Sequence, residues 1–192
     1  MSASRTTRER ILDVALDLFV RKGYAETSLR EIASELDFTK AALYYHFESK
    51  QDILVALHMR VHELTEELVP LLQTEANADA TWERLLDGLI GLAMRHRRLI
   101  ELHLRNQEAI ADMHRGKGLE RHGPRGPDIE QLLLNLLTDP SLPLERRVRR
   151  MASLGVIAGV LLAAGAFAGT PEAELEAATH TVVREVLGGG AA

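Results

Sequence analysis

The chain has 192 residues, 46% of them apolar, no cysteine and a formal net charge of −5. That length can bury a core in one large domain or in one small and one medium domain, and the apolar share excludes a disordered chain. The lack of cysteine excludes a disulfide framework, a thiolate metal site and a cysteine nucleophile, and it fits a reducing compartment, so the cytoplasm is the expected location.

The first ten residues are charged and lead into no apolar signal core, so no secretory signal is expected. Residues 1–50 balance eight Lys and Arg against eight Asp and Glu, leaving 15 bases against 20 acids in the remainder, which carries the whole deficit. Bulk charge does not advertise a nucleic-acid binder, and any basic surface must be local.

Apart from Gly23, glycine and proline are nearly absent before Pro70, and strand-like alternation is missing, which predicts helix throughout, nine helices in all. The first opens at a Thr6-x-x-Glu9 capping box, carries Ile11, Leu12, Ala15, Leu18 and Phe19 on one stripe and stops at Gly23. A second capping box, Ser28-x-x-Glu31, opens a short helix whose Leu29, Ile32, Ala33 and Leu36 face inward. Asp37-Phe38 is a tight break, and Thr39 caps a third short helix to about His46. Ser49 with Asp52 starts a long fourth helix to about Gln73, followed by helices at about 79–96, 98–114, 128–138, 143–169 and 171–187. The interval from Arg115 to Pro127 is a loop by composition.

Two short helices behind a longer one that packs across them is the helix-turn-helix plan. Its inner faces need apolar residues, which Leu18, Phe19, Ile32, Leu36, Leu43 and Phe47 supply. Thr39, Lys40, Ala41, Ala42, Tyr44, Tyr45 and His46 then form the outer face of the third helix. That face suits a DNA major groove: the alanines keep the helix slim and can touch a thymine methyl, Lys40 can donate to guanine O6 or N7, and the tyrosines offer hydroxyls to phosphate or aromatic edges to sugar and base. Lys50, in the first turn of the next helix, adds a charge-assisted phosphate contact beside free helix N-terminal amides. The alternative is a small three-helix core whose aromatics pack against the rest of the protein.

The runs Ile11-Leu-Asp-Val-Ala-Leu-Asp-Leu-Phe, Gly23-Tyr-Ala-Glu-Thr-Ser-Leu-Arg-Glu-Ile-Ala and Thr39-Lys-Ala-Ala-Leu-Tyr-Tyr-His-Phe-Glu-Ser-Lys-Gln-Asp-Ile-Leu resemble the N-terminal domain of TetR-type transcriptional regulators over about residues 7–57. The resemblance implies an all-α, nine-helix architecture with a helix-turn-helix DNA-binding domain at 1–48 and a ligand-binding and dimerisation domain at 49–192. It also implies that Tyr44 and Lys50 grip phosphates and that Lys40, Ala41 and Tyr45 face bases. Thr27, Ser28 and Arg30 would lie where the second helix meets the DNA backbone or groove.

Met151 to Thr170 carries no charge and follows Arg146, Arg147, Arg149 and Arg150, so it meets the length criterion for a membrane span with a positive flank. It is rich in Gly and Ala, which makes its transfer energy weak, and an ordinary amphipathic helix follows. The preferred reading is a helix buried on nearly all sides, with Gly155 and Gly159, and Gly165 and Gly169, admitting close backbone approach. Paired with the last helix (Leu175, Ala178, Val182, Leu187), it would form half of an intersubunit four-helix bundle, a homodimer through about 143–187. A dimer answers a need, because two short recognition helices related by a two-fold axis read a palindrome.

His103 and Asn106 fall on the otherwise apolar stripe of Leu99, Leu102, Ile110 and Met113, and buried polar groups need partners. Gly88 and Gly91 each cost roughly 1 kcal/mol against alanine, which suggests space left for a small-molecule effector. Met59, His62, Trp82, Leu89 and Met94 could line that space. The alternative is a filled core in which His103 and Asn106 bond to each other or to a backbone carbonyl. His58 and His62 have a spacing that can bind zinc, but no further ligand motif completes a site, and no catalytic signature is present, so neither a metal, a cofactor nor an enzyme activity is expected. The reading is a repressor released from a palindromic operator by an inducer. A helical metal-dependent enzyme and a membrane-anchored regulator are the alternatives.

Overall fold

In the computed structural model, which describes residues 6–73, 79–115 and 129–188, both capping boxes form. Thr6 Oγ1 accepts from Glu9 N at 3.2 Å while Glu9 Oε2 accepts from Thr6 N at 2.6 Å, and Ser28 with Glu31 repeats the arrangement at 3.2 and 2.8 Å. They start α1 (Thr7–Lys22) and α2 (Leu29–Glu35). Gly23 ends α1 at φ +97°, its N–H reaching Phe19 O. After α2, Asp37 N–H reaches Ser34 O and Phe38 N–H reaches Ala33 O, with Asp37 at φ +56°. This is a Schellman cap with aspartate in glycine's usual place, and it re-aims the chain for α3 (Lys40–His46). Thr39 Oγ1 caps α3 by accepting from Ala42 N at 3.2 Å.

Two of the nine expected helices are each divided. Pro70 has no N–H to offer the carbonyl of Glu66. The chain accordingly leaves α4 (Lys50–Thr65) through a 3-10 turn at Glu66–Leu68 before α5 (Val69–Gln73). After α6 (Asp79–Arg95), the expected 98–114 helix divides into α7 (Arg97–Arg105) and α8 (Gln107–Arg115). Between them Asn106 Nδ2 takes the Leu102 carbonyl at 2.7 Å, and its own N–H turns to His103 O, so the side chain competes with the helical ladder.

α9 (Ile129–Thr138) precedes α10 (Leu144–Leu162), which ends earlier than expected in a 3-10 turn at Ala164–Phe167. Gly169, at φ +88°, then leads into α11 (Glu172–Gly188). Among the described residues no helix is long and apolar enough to cross a membrane, because the uncharged run is divided after Leu162, and none forms a strand. The expected loop lies outside the described residues apart from Arg115, as does the side chain of Met113.

The described residues group into two units, 6–61 with 101–115, and 62–73 with 79–100 and 129–188. In the first, α1 packs on α2 and α2 on α3, around Ile11, Leu18, Phe19, Ile32, Leu43 and Phe47, all buried. Each such side chain contributes about 1.5–3 kcal/mol on burial, which holds seven-residue helices that would not persist alone. Arg60 Nη1 meets Asp13 Oδ1 at 3.1 Å, tying α4 to α1.

In the second unit α6, α10 and α11 pack together, with α5 against α6 and α9. Gly88 and Gly91 do not leave room for a ligand as expected. A Cβ at Gly88 would meet Leu68 Cδ2 at 2.6 Å, and one at Gly91 would meet Arg95 Nη1 at 3.0 Å, so both spaces are filled by side chains. Nor is α10 covered on nearly all sides in the single chain. Ser153, Ile157 and Leu161 are buried, whereas Leu144, Val148, Met151 and Leu162 are exposed, and a Cβ at Gly155 or Gly159 would meet nothing.

Candidate nucleic-acid interface

α3 is oriented by what it buries. Leu43, and Phe47 just past its end, plug into the three-helix core, and helical periodicity turns the other side chains outward. Thr39, Lys40, Ala41, Ala42, Tyr44 and Tyr45 are all exposed, Tyr45 by 86%. His46 is half-buried with its ring edge-on to Tyr45 at 5.2 Å, and Lys40 Nζ sits 5.4 Å from the Tyr44 ring centroid. Arg8 lies over Phe47 at 4.9 Å and Arg10 over Phe38 at 5.4 Å, which places two α1 guanidiniums beside the aromatic residues that flank α3. Two guanidiniums and the Lys40 ammonium therefore stand close to the aromatic residues on and beside α3. Ser28 and Arg30 are also exposed, although the Ser28 hydroxyl is engaged in the capping box.

Thr27 departs from the expected exposed set. It is 2% exposed, and its hydroxyl donates to Gly23 O at 2.9 Å, so it pins the turn between α1 and α2 instead of presenting a group to a groove. Lys50 is half-buried, and its ammonium donates to Tyr24 O at 2.7 Å and Ala25 O at 2.9 Å while lying 4.5 Å from the Tyr24 ring centroid. It clamps the same turn onto the start of α4. Tyr24, the partner that sequence reasoning missed, packs edge-on against Phe19 at 5.2 Å. Burial raises its phenol pKa and Asp52 adds to the shift, so it stays neutral.

The α1–α2 junction is also held electrostatically. Lys22 Nζ donates to Glu31 Oε1, and together with the Ser28 backbone N–H and hydroxyl this bond lowers the Glu31 pKa from 4.5 to about 2.

The eight residues expected at an effector site divide between the units. In the first, His103 is buried with its Nδ1 3.2 Å from His58 Nδ1 and the ring planes within 6°. Ile110 is buried and Met59 half-buried, while Asn106 takes the backbone-carbonyl option at Leu102. In the second, Trp82 and Met94 are buried, and His62 and Leu89 are half-buried. The pairing of His103 with His58, 45 residues apart, has no local sequence signal.

This geometry defines a class, a helix-turn-helix protein with a larger helical body. Residues 11–57 match the family described as bacterial regulatory proteins, tetR family. The chain is 31% identical over 175 residues to the HTH-type transcriptional regulator AcrR of Shigella flexneri, across 82% of this chain and 78% of that protein. It is 36% identical over 87 residues to the uncharacterized HTH-type transcriptional regulator TtgW of Pseudomonas putida, across 45% of this chain and 65% of that relative's length, just under two thirds. The transcriptional regulator FadR from Bacillus subtilis, solved in complex with stearoyl-CoA, has a similar fold, with a TM-score of 0.63 at 18% identity over 94% of this chain and 97% of that one. The chain belongs to the tetR family of bacterial transcriptional regulators.

Proposed function

We propose that the protein is a homodimeric repressor that reads a short palindromic operator in double-stranded DNA through paired α3 helices and leaves it when a small-molecule inducer binds the helical body. The observation that carries this reading is the outer face of α3, where a lysine, two alanines and two tyrosines stand exposed over a buried Leu43. Lys40, Ala41 and Tyr45 are the base-facing residues in this proposal. Tyr44, with Ser28 and Arg30 from α2, meets the DNA backbone. Lys50 supports the interface by setting the α1–α2 turn.

The bare apolar face of α10, with Val182 of α11, supports a two-fold partner, since covering such a patch stabilises an assembly by about 25 cal/mol per Å². The proposed division is a DNA-binding domain at 1–48 and a ligand-binding and dimerisation domain at 49–192, working in the cytoplasm. α4 starts four residues after α3 ends, and its residues fall in both units, which makes it a continuous path for a ligand-dependent change. Moving the population from mostly bound to mostly free takes a differential affinity of about 5 kcal/mol. The stearoyl-CoA complex of the Bacillus subtilis regulator supports a small-molecule effector as a class.

Selection of bound fragments from the source genome tests the reading. Recovered sites should share an inverted repeat with half-sites about 10 base pairs apart, and binding should weaken steeply with salt. Fragments without a repeated element would overturn the two-fold reading.

A further inference from the structure

The second unit contains a cleft of ≈ 440 Å³ where the start of α10, the start of α6 and the end of α11 meet. Pro143, Trp82 and Leu187 supply apolar wall, and Arg146, Arg149 and Arg150 supply three guanidiniums. The floor of the cleft is held in place. Arg150 is 1% exposed and lies over the Trp82 ring at 4.9 Å, the Trp82 indole N–H reaches Ser153 Oγ at 3.4 Å, and that hydroxyl donates to Arg150 O at 2.7 Å.

Three carboxylates, Asp79, Glu83 and Glu145, also line the cleft, so formal charge alone does not decide what it attracts. Position does. Glu145, 77% exposed, is taken up by Arg149 at 2.8 Å, and Asp79, 64% exposed, is screened by water, whereas the Arg150 guanidinium acts from a low-dielectric floor. Asp79 stands 3.6 Å from Arg146 and 3.5 Å from Arg150, near the outer limit of ion pairing, so a better-placed oxyanion can displace it. Pro143 is the N-cap residue of α10 and makes no side-chain cap hydrogen bond, and it lines the cleft, so the positive end of that helix dipole lies beside it.

We propose that this cleft binds an organic anion, with a carboxylate or phosphate head between Arg146 and Arg150 and an apolar body against Pro143 and Leu187. Its volume falls within the range of roughly 300–1,000 Å³ typical of small-molecule sites, too roomy for a bare inorganic ion. The apolar stripe of α10 (Leu144, Val148, Met151) lies on the opposite side of that helix from Arg146 and Arg150, so a copy covering the stripe leaves the cleft open. The inference goes beyond the repressor reading and does not depend on DNA binding.

The test is calorimetric titration of the full chain at low ionic strength with benzoate and with phenyl phosphate, using benzyl alcohol as the uncharged control. Saturable binding of at least one anion at one site per chain is expected; benzoate alone assigns a carboxylate head, phenyl phosphate alone a phosphate head. Arg146→Gln, a change on a partly exposed side chain, should weaken binding about tenfold. Asp79→Asn should tighten it several-fold by removing the competing carboxylate. Failure of both anions to bind at millimolar concentration, equal binding by benzyl alcohol, unchanged affinity in Arg146→Gln, or unchanged or weaker binding in Asp79→Asn would each overturn the proposal.

Discussion

Replacing Lys50 with methionine separates two roles for that side chain. Methionine keeps the apolar stem and removes the ammonium, so the variant loses two charge-assisted hydrogen bonds, to Tyr24 O and Ala25 O, and the cation over the Tyr24 ring. Such bonds contribute about 1.5–3 kcal/mol each when sheltered. Here Lys50 is only half-buried and both carbonyls can turn to water in the variant, so the expected net loss is about 1–2 kcal/mol. Urea unfolding followed by circular dichroism, at one fixed protein concentration and without DNA, reads this directly. With a slope of about 2 kcal/mol/M, the midpoint should fall by about 0.5–1 M at unchanged slope. Tyr24→Phe preserves the ring and the carbonyl and should stay within about 0.5 kcal/mol of the parent. A Lys50→Met midpoint indistinguishable from the parent would refute the clamp and leave Lys50 as a simple surface cation.

Three other outcomes follow from the same geometry. The Glu31 pKa is lowered to about 2 in the folded chain from a reference value of 4.5, so its stabilising contribution is present above pH 4.5 and is lost as pH falls through 2. Glu31→Gln keeps the capping-box acceptor for the Ser28 N–H, and its stability deficit against the parent should shrink across that window in acid titrations. Leu43→Ala opens a cavity at a fully buried position and should cost about 2–5 kcal/mol by chemical denaturation. Met151→Asp places a charge on the bare face of α10, and sedimentation equilibrium should show at least about a hundredfold weaker self-association; an unaltered dimer would assign the interface elsewhere.

What could be read from the chain depended on sequence distance. The Thr6–Glu9 and Ser28–Glu31 boxes are spaced three residues apart and formed as expected. The inner face of the three-helix unit was equally legible, because burial of Ile32, Leu43 and Phe47 follows from helical period. Within the long helices, Pro70 and Asn106 each carried a visible reason for a break, yet the surrounding apolar period masked both. Contacts between remote residues left no local trace. Lys50 meets a turn 25 and 26 residues upstream, His58 meets His103 across 45, and Arg150 covers a tryptophan from a different helix. Thr27 reads as a polar residue beside a helix start and gives no sign that its hydroxyl is turned inward to Gly23 O.

The central claim, that the outer face of α3 reads DNA, is tested most directly by fluorescence anisotropy on an operator recovered from the genome, comparing the parent with Tyr45→Ala. Tyr45 is 86% exposed, so its removal should leave stability within about 0.5 kcal/mol. A loss of about 1–2 kcal/mol at each half-site, counted twice in a dimer, lowers affinity roughly 30- to 900-fold. Loss of that size in a folded dimer is the expected result. Parental affinity in the Tyr45→Ala dimer would contradict the assignment of α3 as the recognition helix.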